Sequence, residues 1–125
     1  SQSEMQQIKS HPIIGHDIIK AVHGFDRIAK IILQHHERDD GSGYPYGLTG
    51  DKILQEAKII AVADVFEAMA SKRPYGEACK INKVLKIFNE SRGTLFDPEI
   101  TDACESLFAE RYNNEKDEFE IRLNN

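Results

Sequence analysis

At 125 residues, 40% hydrophobic and 30% charged, the chain fits one globular domain with enough Leu, Ile, Val and Phe to bury a core, which excludes wholesale disorder. A net charge of -5 disfavours a nucleic-acid polymer as partner but admits a small anion held by locally focused positive charge. No apolar run approaches the roughly 20 residues that span a bilayer and no signal peptide opens the chain, so the expected location is cytoplasmic. There Cys79 and Cys104, 25 residues apart and without CxxC spacing, stay reduced. The opening Ser1-Gln2-Ser3-Glu4 has no Met and reads as a cut start.

From Ser10 to Val22 the residues Ile13, Ile14, Ile18, Ile19 and Val22 fall on one helical face, with His11-Pro12 as the helix entry. Gly24 interrupts that run. Phe25, Ile28, Ile32 and His35 resume it, so a second helix is expected to end near His35-His36. Glu37 to Asp51 follows, with four glycines and a proline in fifteen residues, and is a loop. Its length and its Tyr44, Pro45, Tyr46 and Leu48 mark it as functional and not disordered.

A third helix is expected from Ile53 to about Ser71, with Ala57, Ile60, Ala61, Val65 and Ala68 inward. Lys72 to Gly76 makes a turn at its proline and glycine. Ile81, Val84, Leu85 and Phe88 mark a fourth helix. Asp97-Pro98 starts a fifth, an N-cap acceptor before a first-turn proline, with Ile100, Ala103, Cys104, Leu107 and Phe108 as its stripe. The fold class is therefore all-α, a bundle of about five helices with one long Gly-rich loop. Residues 1–112 form the domain and 113–125 a polar tail, in which Phe119, Ile121 and Leu123 alternate.

Several residues have the chemistry of a site. Adjacent His35 and His36 suit transition metals as neutral imidazoles, or else they cap a helix C-terminus, where positive charge is favoured. Asp64 falls close to the apolar face of the third helix, and a buried carboxylate needs a metal, an ion pair or a hydrogen bond. His11, before Pro12, is either a ligand or a plain helix-entry residue. Lys72, Arg73, Arg38 and Lys52 flank the loop and the turn. Arginine's planar fork suits phosphate, and Tyr44 has a face on which a base can stack.

Taken as an ordered string these segments resemble the HD-GYP family. His35-His36-Glu37, then Asp40-Gly41-Ser42-Gly43-Tyr44-Pro45 and Gly47-Leu48, carry the resemblance. It continues through Ala57-Lys58-Ile59-Ile60, Val62 to Ala68, Arg73-Pro74-Tyr75 and Gly93 to Pro98, with His11-Pro12 and Gly15 at its start. The resemblance implies a helical HD-domain fold and metal-dependent hydrolysis of cyclic di-GMP to pGpG or GMP. Position by position, it assigns His11, His35, His36 and Asp64 as metal ligands. Gly43, Tyr44, Pro45 and Arg73 become substrate-binding residues. The implied metal is iron or manganese, with zinc or nickel as substitutes.

The family's His-Asp pair lies upstream of its His-Pro segment, and the ten residues before His11 contain no counterpart. His16-Asp17 falls inside the first helix and is read as a coincidental dipeptide. The catalytic residues of that pair are therefore unassigned, and the chain reads as the C-terminal portion of an HD-GYP domain. Gly76, where relatives carry a basic residue, is a second departure. The expectation is a parent phosphodiesterase whose fragment binds metal weakly and turns nothing over. The alternative is a degenerate, non-catalytic module that binds a nucleotide or a protein such as a diguanylate cyclase domain. A homodimer is also expected, through apolar surface left exposed.

Overall fold

The computed structural model describes residues 1–70, 81–107 and 110. The described elements are all helical: α1 (Gln2–Lys20), α2 (Asp26–Gln34), α3 (Gln55–Ala70), α4 (Ile81–Ser91) and α5, helical over 98–107. A 3-10 turn at Gly50–Lys52 precedes α3. The proposed turn at Lys72 to Gly76, Arg73 and Cys79, and the tail beyond Tyr112 lie outside the described residues.

The first helix reaches eight residues further back than periodicity predicts, to Gln2 and not Ser10, and Ser1 and Glu4 form a capping box at that end. The Ser1 hydroxyl accepts from the Glu4 backbone N–H at 3.2 Å, and the Glu4 carboxylate accepts from the Ser1 amine at 3.0 Å. Pro12 consequently sits inside the helix and is its one buried residue. His11-Pro12 is thus mid-helix and not an entry. The turn through Gly24, at φ +87°, reverses the chain. Gly15 then faces Ile32, close enough that an added Cβ would lie 3.2 Å from the Ile32 Cγ2, which lets α1 and α2 run antiparallel in close contact.

The core lies between α3, α4 and α5. Val62, Val84, Phe88, Phe96 and Ile100 are buried, and Val65, Phe66, Met69, Leu95 and Cys104 pack against them. Phe88 is central, its ring centroid 5.4 Å from Phe96 and 6.3 Å from Phe66. The inward face of α3 differs from expectation. Ala57, Ala61 and Val62 are buried, whereas Ile60 is 46% exposed. The segment from Ala57 to Phe66 is apolar on nearly every side, so periodicity alone selects no face. On α5, Ile100 is buried and Cys104 half-buried, but Ala103 and Leu107 are exposed; Phe108 lies outside the described residues. Asp97 caps that helix as expected, its Oδ1 accepting from the Ile100 N–H at 3.1 Å.

Polar ties hold the site-bearing loop to this core. The Asp39 N–H donates to the Leu95 carbonyl at 2.9 Å. Lys58 on α3 lies 3.4 Å from the Asp39 Oδ1 and 3.9 Å from the Asp97 Oδ2, with its side chain 15% exposed. The Gln34 side-chain carbonyl accepts from the Leu54 N–H at 2.7 Å, joining the end of α2 to the approach of α3.

Candidate metal centre

The C-terminus of α2 delivers the paired histidines. His35 is the C-cap, and His36 is the first residue beyond it. The His35 Nδ1 is 2.6 Å from the Ile32 carbonyl. A carbonyl only accepts, so Nδ1 carries the proton, which leaves Nε2 as the nitrogen that could serve as a metal donor. The two imidazoles lie 3.9 Å apart between centroids, tilted by 40°. Burial, then the neighbouring His35 and Arg38, pull the His36 pKa below its ordinary value, against the opposing pull of Asp64. A neutral imidazole is the form that binds a metal.

Asp64 meets them from α3. One donor atom each from His35, His36 and Asp64 lies within 4.8 Å of the others. Bonds of about 2.0–2.2 Å to a shared ion would need only a small side-chain adjustment from there. Two nitrogens and one carboxylate oxygen form a donor set suited to first-row transition metals. Asp64 is exposed, where the sequence suggested a carboxylate close to the apolar face. The buried stripe of α3 runs through Ala57, Ala61 and Val62, and Asp64 projects away from it toward the imidazoles. His11 is exposed on α1 and does not join this group.

The Gly-rich loop forms one wall of the cluster. The Tyr44 ring stacks on His36 with centroids 4.9 Å apart and planes 19° from parallel. The Tyr44 N–H donates to the His36 carbonyl at 3.2 Å. Gly43 makes the approach feasible, since a Cβ there would fall 2.5 Å from the Arg38 nitrogen and 2.6 Å from the Glu37 Cα. Arg38 folds over the Phe96 ring at 5.3 Å and donates through Nη1 to the Glu37 carbonyl at 2.9 Å.

Glu37 is the residue that sequence reasoning passed over. It is 3% exposed, and its two carboxylate oxygens accept from the backbone N–H groups of Tyr46 and Leu48 at 2.7 and 2.8 Å. The available signal was a carboxylate at the head of a loop whose backbone donors have no helix or sheet to satisfy them.

Comparison with known proteins identifies the family. The HD domain family profile matches residues 1–100. A cyclic di-GMP phosphodiesterase response regulator of Xanthomonas campestris is 47% identical over 82% of this chain and 28% of its own length. A 3'3'-cGAMP-specific phosphodiesterase of Vibrio cholerae is 37% identical over 78% of this chain and 21% of its own. A cyclic di-GMP phosphodiesterase of Thermotoga maritima is 38% identical over 92% of this chain and 33% of its own. The chain thus spans between about a fifth and a third of these relatives.

Proposed function

The chain belongs to the HD domain family, with a motif string of the HD-GYP type, and on that premise we propose that it supplies the metal-binding and substrate-facing part of a phosphodiesterase acting on a cyclic dinucleotide. The observation that carries the proposal is the convergence of His35, His36 and Asp64 donor atoms beside the Gly43-Tyr44-Pro45 loop. The names of the relatives support cyclic di-GMP as the substrate, with 3'3'-cGAMP as the neighbouring choice.

In this reading His35 and His36 hold a divalent ion through neutral imidazole nitrogens, and Asp64 adds the carboxylate. His11 is the proposed fourth donor by resemblance. When bound, the metal supplies Lewis acidity and a water of lowered pKa for attack on a phosphodiester. Tyr44 lines the approach and offers its exposed face to a base, while Gly43 and Pro45 shape the loop behind it. Arg73 is the proposed phosphate contact. Iron or manganese fits the donor set, with zinc or nickel as substitutes.

Three converging donors hold one ion more readily than two. The isolated chain is therefore expected to bind about one divalent ion and to leave cyclic di-GMP intact, with turnover belonging to the longer parent. Metal analysis after titration with Mn²⁺, paired with chromatography of a cyclic di-GMP digest, tests both statements. Absence of any bound ion overturns the centre, and efficient hydrolysis by the chain itself overturns the division of labour. The competing reading is a non-catalytic module using the same loop, with Tyr46 61% exposed at its tip, to engage a diguanylate cyclase domain. A parent that binds cyclic di-GMP without turnover favours it.

A further inference from the structure

Glu37 presents an unusual combination. Its carboxylate is almost wholly buried, yet among the described residues it makes no ion pair. A buried carboxylate is costly unless hydrogen bonds satisfy it, and here both oxygens are committed to backbone donors nine and eleven residues downstream. Those donors, Tyr46 and Leu48, flank the exit of the Gly-Tyr-Pro segment. The entry of that segment is held separately, by the Tyr44 N–H on the His36 carbonyl. Gly43 lies against the same His36-to-Arg38 backbone with no room for a side chain. The loop is therefore folded back on the residues immediately after the paired histidines, and the Tyr44 ring comes to rest on the His36 imidazole as a consequence.

We propose that Glu37 is a positioning residue: by holding the Tyr46 and Leu48 backbone it closes the loop, so that Tyr44 lies over His36 and fixes the orientation of that imidazole toward the metal. The role in metal binding rests on the metal-centre reading above, whereas the placement of Tyr44 does not. Glu37 itself touches neither metal nor substrate. It acts through the loop, and the loop acts through a ring contact on one ligand.

The test uses this chain and two independent readouts. In the metal-free protein, the carbon-bound protons of the His36 ring are shifted upfield by the Tyr44 ring current, and Tyr44→Leu identifies the shift by abolishing it. Glu37→Ala is expected to move these resonances to ordinary histidine positions while circular dichroism still reports a helical fold. Glu37→Gln keeps one carbonyl acceptor, so it retains part of the shift. Gly43→Ala leaves Glu37 intact but pushes the loop away, and is expected to lose the shift as fully as Glu37→Ala. The second readout is Co²⁺ affinity followed by visible absorption. Glu37→Ala is expected to weaken it by about 10–100-fold, the usual effect of removing support behind a ligand, with Glu37→Gln between the two.

A folded Glu37→Ala variant that keeps the wild-type His36 shift overturns the proposal. If that variant does not fold, Glu37→Gln decides: an unchanged shift overturns it, and a reduced shift supports it. If the wild-type chain binds no Co²⁺, the metal-centre reading falls, while the metal-free resonances still decide whether Glu37 places Tyr44.

Discussion

The two ends of the described fold are built on opposite terms. Around α3, α4 and α5 the apolar side chains meet one another: Val84 and Phe88 are at most 1% exposed, and a second ring, Phe96, completes the packing. Along α1, by contrast, only Pro12 is buried, and Met5, Ile8, Ile14 and Ile18 are each 48% or more exposed. The apolar surface continues past the helix into an open concavity of about 310 Å³ lined by Ile19, Val22, Phe25 and Ile28. The candidate metal cluster takes its residues from the end of α2 and from α3, next to the well-packed end. The loop beside it is tied to the core through Asp39 and folded back on Glu37, while α1 packs on α2 and leaves most of its apolar residues exposed.

The largest effect should come from the core. Phe88→Ala is expected to cost about 3–5 kcal/mol in chemical denaturation, which in a domain this size is a large share of total stability. Ile18→Ala, at a position 65% exposed, is expected to stay within about 0.5 kcal/mol. Similar losses at the two positions would erase the contrast.

Next come the proposed metal ligands. His36→Ala and Asp64→Asn are each expected to lower Mn²⁺ or Co²⁺ affinity by more than the roughly 10–100-fold typical of outer-shell partners, with little change in unfolding midpoint. His11→Ala is expected to change affinity least of the four assigned ligands. Isothermal titration calorimetry ranks them, and a His11 effect equal to that of His36 would put α1 into the centre.

A smaller effect concerns association. Exposed apolar patches of this extent favour contact with another surface, and we expect the isolated chain to form a homodimer through α1. Replacing Ile14 and Ile18 together by Asp should shift light scattering toward monomer without altering metal affinity. A wild-type chain that stays monomeric across concentrations removes that expectation.

The smallest effect is electrostatic. Arg92 grips Asp102 through two hydrogen bonds of 2.8 and 2.9 Å, and this holds the Asp102 pKa below its ordinary value. A depressed carboxylate adds stability above its unfolded pKa and loses it as pH falls through the folded one. Asp102→Asn should therefore lower the melting temperature slightly at neutral pH, and the difference from wild type should vanish in acid. Both groups are solvent-exposed, so added salt should shrink the difference as well.

Much of the candidate site was legible because its parts are local. His35-His36 at a helix end, the glycine pattern around Tyr44 and the N-cap at Asp97 each follow from neighbours within a few residues. Three features were not legible. The reach of α1 back to Gln2 lies outside the apolar period. The inward face of α3 was hidden by side chains apolar all round, and only α4 and α5 select Val62 over Ile60. The buried state of Glu37 required the loop to fold back through nine to eleven residues, which no local pattern encodes.

By itself the sequence determined the helical class, the long loop, the candidate donor residues and the family. Apolar period, caps and glycine content act over one or two turns and need no partner to be read. The tertiary structure alone decided which of the nominated donors come together, that Asp64 is exposed with a donor atom within 4.8 Å of those of the imidazoles, and that Tyr44 stacks on His36. Those outcomes depend on how α2, α3 and the loop are held against one another, and a distance across three segments is set by packing and by shared hydrogen bonds, not by the order of residues along any one of them.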